Sequence, residues 1–283
     1  MFLLNSVNER EYLLNKEYRV LDKGFIKLID YMGSDERIVQ AARISYRGES
    51  IKREDYELID YLIRNEHTSP FEQVVFTFYV KAPIFIARQW MRHRTARINE
   101  VSGSYSLMRE EFYVPLVEDI KIQNVDSNQS VNEKMESPQF TKDILIDLEK
   151  SQKYCYKLYQ DMIDFNVLKE ISRIALPLSL YTEWYWQIDL KNLFHFIKLR
   201  LGLNETKEVN ENSSKEMRDY ANILLDVIEK IVPIAAKSFK NHILKGCRFS
   251  YEEIMAISGA LDTSKLKLDN KALNRLKDKL NIK

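Results

Sequence analysis

The chain has 283 residues, 45% hydrophobic and 30% charged, with 43 basic and 42 acidic side chains and a formal net charge of +1. That is the balance of a globular protein with a sizeable core, and it excludes a surface that is basic throughout. Seven widely spaced glycines write no G-x-G, which excludes the dinucleotide fingerprint and the P-loop; two distant cysteines, Cys155 and Cys247, exclude a zinc ribbon and a disulfide framework.

In chain order, a short strand is expected at 18–22. Ser34 to Ile44 places an N-cap serine and early acids before apolar residues at helical spacing, and 53–65 repeats the helical pattern with Tyr56, Ile59, Leu62 and Ile63 as its buried stripe. Over 71–81 the period changes to two, with Val74, Phe76, Phe78 and Val80 alternating with polar neighbours, which predicts a strand. Pro83 suits the first turn of a helix over 83–93. Residues 117–136 are polar and aperiodic, a loop. Helices are expected at 138–165 and 168–175, an aromatic strand at 180–190, and helices at 190–201 and 213–241, with a polar loop over 201–212. The tail after 243, rich in lysine and leucine, has no readable function. Helices dominate and the strands do not alternate as βαβ units, so the class is α+β: a helix-rich single domain with a small, mostly antiparallel sheet. No run approaches the roughly 18 apolar residues of a membrane helix, and the N-terminal apolar run is too short for a signal peptide, so a cytoplasmic location is expected.

Residues 88–109, RQWMRHRTARINEVSGSYSLMR, stand apart. Five arginines (88, 92, 94, 97 and 109) face one acid, Glu100, inside a chain that is otherwise evenly charged. Gln89, Arg92 and His93 share a face at the end of the 83–93 helix, where guanidinium groups can clamp a phosphate, and Ser102-Gly103-Ser104 adds hydroxyls on a backbone that a ligand can approach closely. Charge and aromatic content also admit a nucleic-acid-binding module built on this segment. A steep salt dependence would be its mark.

Arg92-His93-Arg94, seven residues and then Ser102 resemble the R-H-R-x7-S signature of the flavin-dependent thymidylate synthases, the ThyX family. His67-Thr68-Ser69-Pro70-Phe71-Glu72, Arg173-Ile174-x-Leu176-Pro177 with Leu180-Tyr181-Thr182, and Leu193-x-His195-Phe196 with Leu199-Arg200 resemble three further family blocks in the same order, across about 18–242. The resemblance implies a single catalytic domain over 1–283 with extensions at 1–17 and 243–283. It implies methylation of dUMP to dTMP, with methylenetetrahydrofolate as carbon donor, FAD as hydride carrier and NADPH as reductant. No cysteine nucleophile and no metal are needed. The family assembles as homotetramers with FAD shared between subunits, and neither nucleic acid nor membrane is a partner.

By the same resemblance, Arg200 is the catalytic residue that polarises the uracil. Gln89, Arg92, Glu100, Val101 (through its backbone), Ser102, Gly103, Ser104, Arg173 and Arg200 are the dUMP-binding positions. Ser69, Arg92, His93, Arg94, Glu100, Asp189, Lys191 and His195 are the FAD-binding positions, with His67 near flavin and folate. Two positions depart from the family. Ser104 stands where the family has a phosphate-gripping arginine, leaving Arg97, Arg109 or Arg173 to carry the load. Asp189 stands where the family often has asparagine. These departures keep a third reading open, a flavoprotein with a different substrate.

Overall fold

A computed structural model describes residues 12–44, 53–123, 130–134, 137–201, 214–246, 248–262 and 265–280. The Met1–Lys245 unit is built on a five-stranded, wholly antiparallel sheet. Its strands are β1 (Glu17–Val20), β2 (Gly24–Met32), β3 (Val75–Pro83), β4 (Arg97–Glu100) and β7 (Tyr181–Asp189), in the order β1-β2-β3-β7-β4. Period-two alternation sends Ile26 and Leu28, Phe76, Phe78 and Val80, and Trp184, Trp186 and Ile188 to one face, where all are buried. The first two strands meet in a tight turn. A Cβ on Gly24 would fall 2.0 Å from the Tyr220 hydroxyl and 2.7 Å from the Val20 carbonyl oxygen, so only glycine fits there.

Helices α6 (Leu190–Leu201) and α7 (Lys215–Ile231) carry buried stripes that join this apolar face in one core. Short α3 (Ile84–Trp90) inserts Trp90 among Trp184, Trp186, Phe196 and Tyr220, with ring centroids 4.8 to 5.7 Å apart. Helices α1 (Asp35–Arg43) and α2 (Asp55–Arg64) pack with α8 (Pro233–Phe239). Long α4 (Pro138–Asp164), capped by Ser137, packs with one-turn α5 (Lys169–Ser172).

The α+β class is as the sequence implies, and several boundaries move. Ser69–Gln73 coils into a 3₁₀ turn that buries Pro70 and Phe71, so the strand expected at 71–81 begins at Val75. The helix expected over 83–93 ends at Trp90. The 168–175 helix is one α-turn followed by a 3₁₀ turn over Arg173–Ala175. The helix expected at 213–241 is broken at Pro233, which has no N–H to continue the ladder. A π-turn over Lys240–Leu244 follows α8. Strand β2 was not expected from the sequence; its pairing with β3 shifts register between Leu28 and Asp30, which interrupts its alternation. The expected loop 117–136 contains a two-stranded ribbon, β5 (Lys121–Gln123) with β6 (Ser130–Lys134). The loop expected at 201–212 lies, but for Leu201, outside the described residues.

The Pro233 break exposes backbone donors, and α1 satisfies them. The Asp35 carboxylate accepts from Ile234 N at 2.9 Å and Ala235 N at 3.0 Å. Burial raises the Asp35 pKa to about 6, against the pull of those two hydrogen bonds. Nearby, Asp60 accepts from Arg64 Nε at 2.8 Å and Ser238 Oγ at 3.1 Å, and lies 2.6 Å from His242 Nε2, which ties α2 to the end of α8.

The Gly246–Lys283 unit holds α9 (Tyr251–Ala260), opened by a capping box between Ser250 and Glu253, and α10 (Asn270–Leu280), which packs on α9.

Candidate active site

The end of α3 meets the end of α6. The pairing follows from Trp90 and Phe196, which anchor the two helices in the same aromatic cluster and leave their polar neighbours at its rim. There the half-buried Arg200 donates from Nη2 to Gln89 O at 3.4 Å and lies 3.3 Å from His93 Nε2. Its Nε is buried and has no hydrogen-bond partner among the described residues. Burial lowers the Arg200 pKa from its ordinary value. The His93 ring packs on Phe196 at 4.7 Å, with His195 at 6.0 Å. Burial first, then the Arg200 charge and His195, lower the His93 pKa to about 4, so the imidazole is neutral at pH 7. Four of the expected residues, Gln89, His93, His195 and Arg200, therefore come together here.

A second group forms after β4. This edge strand is exposed at all four residues. Glu100 accepts from Thr182 Oγ1 at 2.6 Å, and Val101 N donates to Glu183 O at 2.9 Å, so both positions are registered against β7. The chain then turns: Ser104 N donates to Ser102 Oγ at 3.3 Å and Ser106 N to Ser102 O at 2.9 Å. Gly103 is buried against Arg173, and a Cβ there would meet Arg173 Cδ at 3.1 Å and Met108 Sδ at 3.2 Å. Helix α4 holds the far side through Tyr156 and Tyr159, whose hydroxyls bond the Met108 backbone at 3.0 and 3.1 Å. Ser102, Gly103 and Ser104 thus form one turn, with Arg173 packed against it. Lys169 joins them, donating to Tyr105 O at 3.0 Å. It was not among the expected residues, yet its spacing from Arg173, i to i+4 across the α5 turn, was visible in the sequence.

Asp189 and Lys191 lie at the start of α6. Asp189 accepts from Asn192 N at 2.9 Å and Asn192 Nδ2 at 2.6 Å, so its carboxylate caps α6. Lys191 is 2.5 Å from Glu72, an ion pair that raises its pKa. Ser69 lines a cavity of about 480 Å³ with Arg37, Gln40, Ala41, Ile44, Pro70 and Gln73. Arg37 and Gln40 carried no sequence signal beyond sitting on the polar face of α1. The His67 ring stands edge-on to Tyr61 at 5.7 Å. Arg92, Arg94, Arg97 and Arg109 are all exposed, with Arg109 3.7 Å from Glu183. Glu183 also lies 3.7 Å from the buried Lys81 and accepts from the Tyr79 hydroxyl. Among the described residues no group of three or more His, Cys, Asp or Glu is placed to hold a metal ion, and no helix is long and apolar enough to cross a membrane.

Exposed arginines and a buried guanidinium N–H without a partner among the described residues suit an anionic ligand with a hydrogen-bond acceptor. The class defined by this fold is a helix-rich α+β protein with a small antiparallel sheet. A family model described as "Thymidylate synthase complementing protein" matches residues 27–234, and the chain belongs to the flavin-dependent thymidylate synthase family. It is 66% identical over 269 residues to the flavin-dependent thymidylate synthase of Borreliella burgdorferi, covering 95% of this chain and 100% of that one. It is 50% identical to the Treponema denticola protein of the same name, covering 94% and 98%. Among solved structures it resembles a UMP/dUMP methylase, PolB, from Streptomyces cacaoi bound with 5-Br dUMP, at a TM-score of 0.70 and 27% identity over 81% of this chain and 100% of that one.

Proposed function

We propose that the protein methylates dUMP to dTMP, with methylenetetrahydrofolate as carbon donor, flavin bound as FAD and NADPH as reductant. The observation that carries this reading is Arg200: a half-buried guanidinium at a helix end, fixed from one side and with its Nε N–H unmatched. Set against a uracil carbonyl, those N–H groups stabilise the negative charge that makes C5 nucleophilic, and burial strengthens the effect. Bound flavin supplies the hydride chemistry. The chain's own residues bind and orient. Gln89, Arg92, Glu100, Val101 and the Ser102–Ser104 turn with Arg173 hold the nucleotide. Ser69, Arg92, His93, Arg94, Glu100, Lys191 and His195 hold the flavin, with His67 on the folate side; Asp189 contributes through α6, which it caps. At the Ser104 phosphate position Arg173 carries the load, since it lies against Gly103.

All these positions fall in the Met1–Lys245 unit, which we read as the body of one catalytic domain extended by residues 246–283. The surroundings of Arg200 and the lining of the Ser69 cavity share no residue, and we read each as completed by a neighbouring subunit of a homotetramer. The basic strip contains Glu100, bonded to Thr182, and Arg109, paired with Glu183, which disfavours a nucleic-acid groove. The deciding experiment is tritium release from C5-labelled dUMP by flavin-loaded protein with folate and NADPH. Release is expected. A flavin-loaded protein that binds dUMP and releases none overturns the assignment.

A further inference from the structure

Arg200 faces an imidazole, and the chemistry of that contact fixes which way the imidazole is protonated. A guanidinium only donates hydrogen bonds, so His93 Nε2, 3.3 Å from Arg200 Nη2, has to present its lone pair and the ring proton has to reside on Nδ1. The surroundings favour that uncharged ring, since burial and the neighbouring Arg200 and His195 oppose its protonation. They also hold the ring still. His93 N donates to Trp90 O at 3.0 Å, closing the end of α3, and the ring is set at 64° against Phe196, one turn of α6 before Arg200. Arg200 is therefore gripped at one terminal nitrogen by two acceptors, Gln89 O and His93 Nε2, while its buried Nε has none among the described residues.

We propose that His93 is a positioning residue for Arg200: its neutral Nε2, with the Gln89 carbonyl, anchors one end of the guanidinium and so points the remaining N–H groups at the pyrimidine. This rests on the reading of Arg200 as the group that meets the uracil, and adds what holds it there. An unanchored arginine has many rotamers to lose when substrate binds. One already fixed loses few, and the saving appears as affinity and rate. His93 can serve flavin at the same time, because Nδ1–H faces away from the nitrogen that grips Arg200.

Two substitutions separate this role from ring packing. His93→Phe keeps an aromatic ring against Phe196 and removes the acceptor. His93→Gln restores an acceptor near the Nε2 position without the ring. Both are compared with the parent as full-length, flavin-loaded protein, reading flavin content from absorbance, dUMP affinity by calorimetry, and kcat and KM from tritium release. In the flavin-loaded fraction, His93→Phe is expected to weaken dUMP binding at least about tenfold and to lower kcat as well, and His93→Gln to recover most of both. Unchanged dUMP affinity in His93→Phe, or a glutamine variant as impaired as the phenylalanine one, overturns the proposal. Affinity and rate are taken per bound flavin, because His93→Phe removes both ring nitrogens. Calorimetry needs no turnover: a parent that binds dUMP but releases no tritium tells against the synthase reading alone.

Discussion

At the scale of single residues, the buried Nε of Arg200 is a cost that no described residue recovers. A buried N–H without an acceptor costs about 1–3 kcal/mol, more when the group is charged. Binding a ligand carbonyl there would return that cost, so Arg200→Ala is expected to leave flavin content and fold intact while lowering kcat by about 10²–10³. Steady-state tritium release alongside flavin absorbance checks both halves. Ser104 makes the opposite prediction. It sits in a turn already flanked by Arg173 and Lys169, where its own hydroxyl adds no charge. Ser104→Arg is expected to tighten dUMP binding by about 1.5–3 kcal/mol, the worth of one charge-assisted hydrogen bond. Weaker or unchanged binding by calorimetry would show that Arg173 and Lys169 already saturate the phosphate.

At the scale of elements, the site depends on how α3 and α6 are seated. Trp90 sets that seating, lying wholly inside a cage of four aromatic rings. Trp90→Ala is expected to cost about 3–5 kcal/mol by urea denaturation, and Trp90→Phe appreciably less, because the smaller ring leaves a smaller void. What the sequence disclosed follows from the same local physics. The alternation of β3 was readable because the strand buries one face and shows it as a period, and β7 was readable from its aromatic content. The Arg92-His93-Arg94 block and Ser102 were readable as a family pattern, as was the Arg200 position. Strand β4 was not, since Arg97 to Glu100 are exposed on both faces and an edge strand with no buried side writes no alternation. The pairing of His93 with Arg200 was hidden too, because it joins residues 107 apart through the tertiary packing of two helices. Asp189 was expected at the flavin, and its carboxylate is engaged in capping α6, a role that the Asp-x-x-Asn spacing encodes only once the helix start is known.

At the scale of the whole molecule, two buried groups titrate in opposite senses. Asp35 has its pKa raised from 3.8 to about 6, so as the pH falls through 6 the native state takes up a proton before the unfolded chain does, and stability rises. His93 has its pKa lowered from 6.5 to about 4, so over the same fall the unfolded chain takes up the proton first, and stability drops. Each partly masks the other between about pH 4 and 6. Relative to the parent, Asp35→Asn is expected to lose stability more steeply on acidification and His93→Phe less steeply, which urea midpoints from pH 4.5 to 7 would resolve. Parallel pH slopes in all three proteins would refute this. The Asp35 clamp also has a consequence for biosynthesis. Its two amide partners lie 199 and 200 residues further along the chain. At a synthesis rate of about 5–20 residues per second, the carboxylate emerges from the ribosome some 10–40 s before the helix end it is to hold. For that interval α1 has no α8 to dock on, so the half-made chain is the species most exposed to aggregation, and the last turns of the unit to be translated are the ones that close it.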